Sequence, residues 1–105
     1  MNYNGLMQKV DSLSQEERNH FLLTSLCFGD VLTVELAILI GGNIKMYSNY
    51  PLKRAIEKNW PSVVQLLIDE GIDVTEDNNS ALKLAQKHHR EEIISILKKA
   101  ISNVE

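Results

Sequence analysis

Three histidines and one cysteine are the residues of this 105-residue chain best suited to nucleophilic or metal chemistry. His20 and Cys27 stand seven apart, so on one helix about 10 Å of axis separates them. A thiolate and its general base must lie within hydrogen-bond reach, and this pair does not. Cys27 is expected to be a half-buried thiol, and a lone cysteine builds neither an intrachain disulfide nor a thiolate metal cluster. His88 and His89 are adjacent, and neighbouring helical side chains diverge by about 100°, so chelation by the pair is not expected. The acidic pairs Glu16-Glu17, Asp69-Glu70, Glu76-Asp77 and Glu91-Glu92 are dispersed along the chain, without a glycine-rich loop or a metal-ligand partner at useful spacing. They read as solvated faces and helix-terminus charges. There is no phosphate loop, dinucleotide fingerprint or nucleophile elbow. No catalytic residue, metal ligand or cofactor site is expected, and the chain reads as a non-enzyme.

Composition narrows the remaining classes. Hydrophobic residues make up 44% and charged residues 24% of the chain, which is the balance of a folded soluble domain. The net charge of −3 offers no overall attraction to nucleic acid or an anionic membrane. Residues 83–99 are locally basic, at +3 from Lys83, Lys87, Arg90, Lys98 and Lys99 against Glu91 and Glu92. A single-strand nucleic-acid surface interleaves such charge with aromatic rings, and this stretch contains none. It reads as a solubilising end. The most apolar run, Val31 to Ile40, contains Glu35 and is too short to cross a bilayer. The polar start Met1-Asn2-Tyr3-Asn4-Gly5 is not that of a secretory leader. With a single cysteine, this points to a cytoplasmic protein.

The elements that would position any site emerge when the chain is slid along itself. A shift of 30 lays Pro51-Leu52-Lys53-Arg54-Ala55 over Ala81-Leu82-Lys83-Leu84-Ala85, and Val63-Val64-Gln65-Leu66-Leu67 over Ile93-Ile94-Ser95-Ile96-Leu97. The same shift backwards reaches Leu22 to Ser25, then Thr33-Val34-Glu35-Leu36-Ala37, and lays Gly41-Gly42-Asn43-Ile44 over Gly71-Ile72-Asp73-Val74. No gap is needed. Each copy reads as two short helices. The first is compact, with Leu22/Ser25, Leu52/Ala55 and Leu82/Ala85 on one face; the second carries a broader apolar stripe. Gly29, Asn59 and His89 mark the reversal between them, being types that visit positive φ, and Pro61 suits the first turn of a helix. Ahead of the repeats, Leu6, Met7, Val10 and Leu13 share a helical face, and Ser14-Gln15-Glu16-Glu17 is a capping box.

The pattern Pro51-Leu52-x-x-Ala55, Val63-Val64-x-Leu66-Leu67 and Gly71-Ile72-Asp73-Val74 resembles the ankyrin repeat, as does Gly29-Asp30 with Val34-Glu35 and Gly41-Gly42-Asn43-Ile44. The period of 30 is shorter than the usual 33 or so, and Lys53 and Lys83 replace the histidine of the T-P-L-H-x-A signature. Shortened repeats of this kind are similar to those in ankyrin proteins of large DNA viruses and some bacteria, in which case the compartment is a host cytoplasm. The resemblance implies an all-α solenoid of three helix-turn-helix repeats. Its parts are an N-terminal cap at 1–19, repeats at 20–49 and 50–79, and a third repeat with C-terminal cap at 80–105. The five residues between Ile44 and Tyr50, and between Val74 and Ser80, imply short hairpin fingers.

What the resemblance implies about function is a protein-binding module, an inhibitor or adaptor working through a concave face. That face would hold Phe28, Glu57, Lys58, Lys87 and His88 before the reversals, with Lys53 and Lys83 along the groove. One finger would offer Met46, Tyr47 and Asn49, and the next Glu76, Asp77 and Asn79. Phe28, Met46 and Tyr47 are large residues at expected exposed places. Trp60 stands where the family commonly has a loop-tying histidine and is expected to pack between repeats. Leu32, Leu39 and Ile38 lie on the outer helix of repeat one, either beneath the N-terminal helix or as an apolar patch for a homodimer. Binding of nucleic acid or an acidic partner through the basic third repeat is the remaining alternative.

Overall fold

The structure, a computed structural model, describes residues 9–104. Residues 9–11 are helical, and six helices follow: α1 Gln15–Phe28, α2 Val31–Leu39, α3 Met46–Glu57, α4 Pro61–Asp69, α5 Glu76–Lys87 and α6 Glu91–Val104. They pair as α1/α2, α3/α4 and α5/α6, and no strand occurs among the described residues. Leu6 and Met7, half of the expected capping face, lie outside that range, while Val10 and Leu13 are half-buried.

Local chemistry accounts for each boundary. Ser14 Oγ accepts the Glu17 N–H at 3.1 Å and Glu17 Oε1 accepts the Ser14 N–H at 3.0 Å, the reciprocal capping box read from the sequence. The reversals at Gly29, Asn59 and His89 all have positive φ, at 71°, 61° and 56°. The Trp60 and Arg90 amides bond to the Ala55 and Ala85 carbonyls five residues back, so helix ends that differ in sequence close identically. Pro61 opens α4 at a position whose N–H has no helical partner.

The fingers differ from expectation. In place of hairpins, α3 and α5 begin with a single left-handed turn, Tyr47-Ser48-Asn49 and Asp77-Asn78-Asn79, with φ between 52° and 64°. Left-handed backbone costs L-residues roughly 1–2 kcal/mol each, and Asn and Asp tolerate it best, which suits four of the six residues. The turn is closed by the Asn49 N–H to Lys45 C=O bond and its copy from Asn79 to Thr75. Pro51 follows it and so sits in the first right-handed turn of α3, where proline is accommodated.

Two layers result: α1, α3 and α5 pack side by side, as do α2, α4 and α6. The stack measures 45 × 26 × 22 Å, and its radius of gyration of 14.8 Å exceeds the ~13 Å of a compact globule of this length. Leu22, Val34, Leu52, Ile56, Val63, Val64, Leu67, Ile93 and Leu97 form one continuous buried core. Leu26 and Ile56 are buried, but their counterpart in repeat three, the polar Gln86, is exposed.

Two hydrogen-bonded carboxylates among the described residues give an acid-stability prediction. Glu17 is held below the usual carboxylate range chiefly by the Ser14 N–H and then by the Ser14 side chain; Asp73 is held down chiefly by the Thr75 side chain and then its N–H. Carboxylates depressed in the folded state stabilise it above their unfolded pKa, and the contribution is lost as pH falls through the folded value. Urea midpoints should therefore fall below about pH 4, and Glu17→Gln with Asp73→Asn should flatten that acid limb. An unchanged limb would assign acid sensitivity to other groups.

Candidate functional site

The surface of the α1/α3/α5 layer has two working ends. At the left-handed turns, Ser48, Asn49, Lys53, Glu76, Asp77 and Ser80 line a polar cleft of about 370 Å³. It brings together four of the residues proposed from sequence, Asn49, Lys53, Glu76 and Asp77. Asn49 Nδ2 donates to the Glu76 carboxylate, joining the two turns. Asn49 is thus buried and holds the turns together, and Asn79 and Lys53 are half-buried. Met46 departs from the expected exposed place: the left-handed turn that follows it directs its side chain into the core, where it is 6% exposed. Tyr47 behaves as expected, 73% exposed. It borders a second cleft, shared with Glu16, Asn19, His20 and Leu23 of α1. Sequence did not group these α1 residues with Tyr47, and Glu16 and His20 drew notice only for other chemistry, because their approach depends on how the left-handed turn aims Tyr47.

At the opposite ends of the same helices lies a row formed by Phe28, Glu57, Lys58, Lys87 and His88. Phe28 is 76% exposed. Glu57, Lys58 and Lys87 are exposed and His88 is half-buried. Lys83 is exposed on α5 between the two ends. Cys27, expected to be half-buried, is exposed; its Sγ approaches only the Leu23 carbonyl, at 3.7 Å.

Two arginines have a structural role that the sequence did not reveal. Arg54 Nε donates to the Leu26 carbonyl, and Arg90 donates to the Ile56 and Glu57 carbonyls through Nε and Nη2, at 3.3 and 2.6 Å. Each caps the carbonyl end of the preceding repeat's first helix. Arg90 is therefore withdrawn from the basic surface, which is left to lysines. Trp60 packs between repeats as expected, its ring against Gly29 and 6.0 Å from the Arg54 guanidinium. Among the described residues no three His, Cys, Asp or Glu side chains converge as a metal site, and no helix is long and apolar enough to cross a membrane.

Three helical pairs in 30-residue register, stacked in two layers and tied by cross-repeat caps, define a repeat solenoid. The chain belongs to the ankyrin-repeat family: the family model described as ankyrin repeats (3 copies) matches residues 22–105. Ankyrin repeats mediate protein–protein interaction. No curated protein and no solved structure matches the chain.

Proposed function

We propose that this chain is a non-catalytic, stoichiometric inhibitor or adaptor, acting in the cytoplasm, that docks a partner protein on its α1/α3/α5 layer. The domain is read as one unit with repeats at 20–49, 50–79 and 80–105. One observation carries the reading. Phe28 and Tyr47 are exposed aromatic rings at positions where the other repeats hold Lys58, His88 and Asp77, so stacking does not require them. Aromatic anchors dominate binding energy at interfaces. The cleft of Lys53, Glu76 and Asp77 lies at the same left-handed turns as Tyr47, supplying polar contacts that set register. A rigid repeat face loses little conformational entropy on binding.

The test replaces both rings by their internal counterparts, Phe28→Lys with Tyr47→Asp. Proteins captured by the parent chain are then titrated against the parent and the variant by calorimetry. Affinity should fall by about 2 kcal/mol or more, roughly thirtyfold, with circular dichroism unchanged. Lys98→Ala with Lys99→Ala should alter only salt dependence or association rate. Retained affinity in the aromatic variant and a large loss in the lysine variant would move the site to repeat three.

A further inference from the structure

The outer helix of repeat one carries leucines that the fold does not call for. Leu32 and Leu39 are 70% and 75% exposed. Their counterparts are Ser62 and Glu92, and Asp69 and Lys99, all exposed. The chain thus contains its own control: these two positions face solvent in every repeat, and only repeat one makes them apolar. Leu36 lies on the same face and is 50% exposed, whereas its counterparts Leu66 and Ile96 are half-buried against the core. Ile38, grouped with these residues from sequence, is half-buried and belongs to the core side.

We propose that this stripe is a self-association surface whose occupant is α2 of a second copy of the chain. The spacing supports a two-fold arrangement. Leu32, Leu36 and Leu39 fall at i, i+4 and i+7, a continuous helical face. It is nearly palindromic about Leu36. An axis at Leu36, with the helices antiparallel, sets Leu32 against the partner's Leu39 and Leu36 against the partner's Leu36. Such an isologous contact needs one surface only. Charge points the same way. Glu35 is the only charged residue of α2, and it flanks the stripe, so self-pairing buries no ion. A charged partner segment would find nothing on the stripe to orient it. Across the axis Glu35 lies on the same rim as the partner's Glu35, and their mild repulsion is screened by salt. The dimer therefore tightens as salt rises. It leaves the α1/α3/α5 layer free in both copies, which makes the assembly bivalent.

Sedimentation equilibrium of the parent chain at about 10–500 µM, a range suited to a small interface, reads the association directly. The variant Leu32→Ser with Leu39→Asp installs the residues that repeat two carries at the same positions. The expected result is a parent dimer that tightens between about 50 and 500 mM salt, and a variant at least about a hundredfold weaker. The variant's urea midpoint should be retained. Should the double variant fail to fold, Leu39→Lys, the residue of repeat three, reads the same contact. A parent chain that is monomeric throughout overturns the proposal, whether the stripe then serves another protein or none. So does a variant that still dimerises, or a dimer that salt weakens, which would indicate acidic-to-basic contact between opposite ends. Loss of the dimer in the Phe28 and Tyr47 variant alone would place association on the inner layer and overturn it as well. The binding assay for that inner layer is unaffected by the leucine variant, so the two readings fail separately.

Discussion

Leu67→Ala is expected to lower the unfolding free energy by about 2–5 kcal/mol. Leu67 is fully buried in the middle repeat, at the same position as Ala37 and Leu97, so its side chain packs within a stack that continues in both directions. Its carbonyl also accepts the Ile72 N–H, which closes the end of α4 and restrains the local backbone from collapsing into the space the side chain leaves. In a three-repeat solenoid no copy is expected to be stable alone, so a defect at the centre weakens both interfaces together. The urea transition should move to lower denaturant with its slope retained; a reduced slope would show that the end repeats had uncoupled. Leu66→Ala, one residue away and half-buried, should cost less. A loss below about 0.5 kcal/mol for Leu67→Ala, within the range of ordinary surface substitutions, would mean that the stripe is not core.

The stripe containing Leu67 was legible in the sequence because burial repeats with the register. Val63, Val64 and Leu67 recur as Ile93, Ile94 and Leu97, and both apolar periodicity and turn residues pointed to the same boundaries. What was not legible depended on where backbone aims a side chain. Met46 and Tyr47 are neighbours of similar size, yet three left-handed residues send one inward and the other outward. Spacing alone carries no sign of such a turn. Only the Asn and Asp content of Asp77-Asn78-Asn79 hints at it, and Tyr47-Ser48-Asn49 nearly lacks that hint. Arg54 and Arg90 were hidden for a different reason. Each reaches a carbonyl of the preceding repeat, and the two do not share a repeat position, so the 30-residue register conceals their common role. The candidate site was accordingly half visible. Four of the six residues lining the polar cleft and the exposed aromatics Phe28 and Tyr47 fell among the expected residues, while Met46 lies in the core and Asn49 lines the cleft from a buried position that joins the two turns.

Gly29→Ala is expected to cost about 2–5 kcal/mol, although its counterparts Asn59 and His89 carry side chains at the same positive φ. The backbone therefore contributes only part of the loss. The larger part comes from the next repeat: a Cβ on Gly29 would overlap the indole ring of Trp60. At the following interface the residue in the Trp60 position is Arg90, whose guanidinium reaches onward to the Ile56 and Glu57 carbonyls. Glycine at 29 and tryptophan at 60 thus form one matched pair, and asparagine at 59 with arginine at 90 forms another. A double-mutant cycle can exchange them. Gly29→Asn alone should be as damaging as Gly29→Ala, and Trp60→Arg alone should lose the buried face of the ring. The double variant should be more stable than the sum of the two losses predicts, by about 1–3 kcal/mol, because it recreates the pair that already joins repeats two and three. Urea melts of the four chains measure this coupling. Strict additivity would show that Trp60 yields to a Cβ without cost, leaving positive φ alone to explain the glycine. In that case Gly29→Asn should be nearly neutral, since Asn59 holds the same conformation ten degrees away.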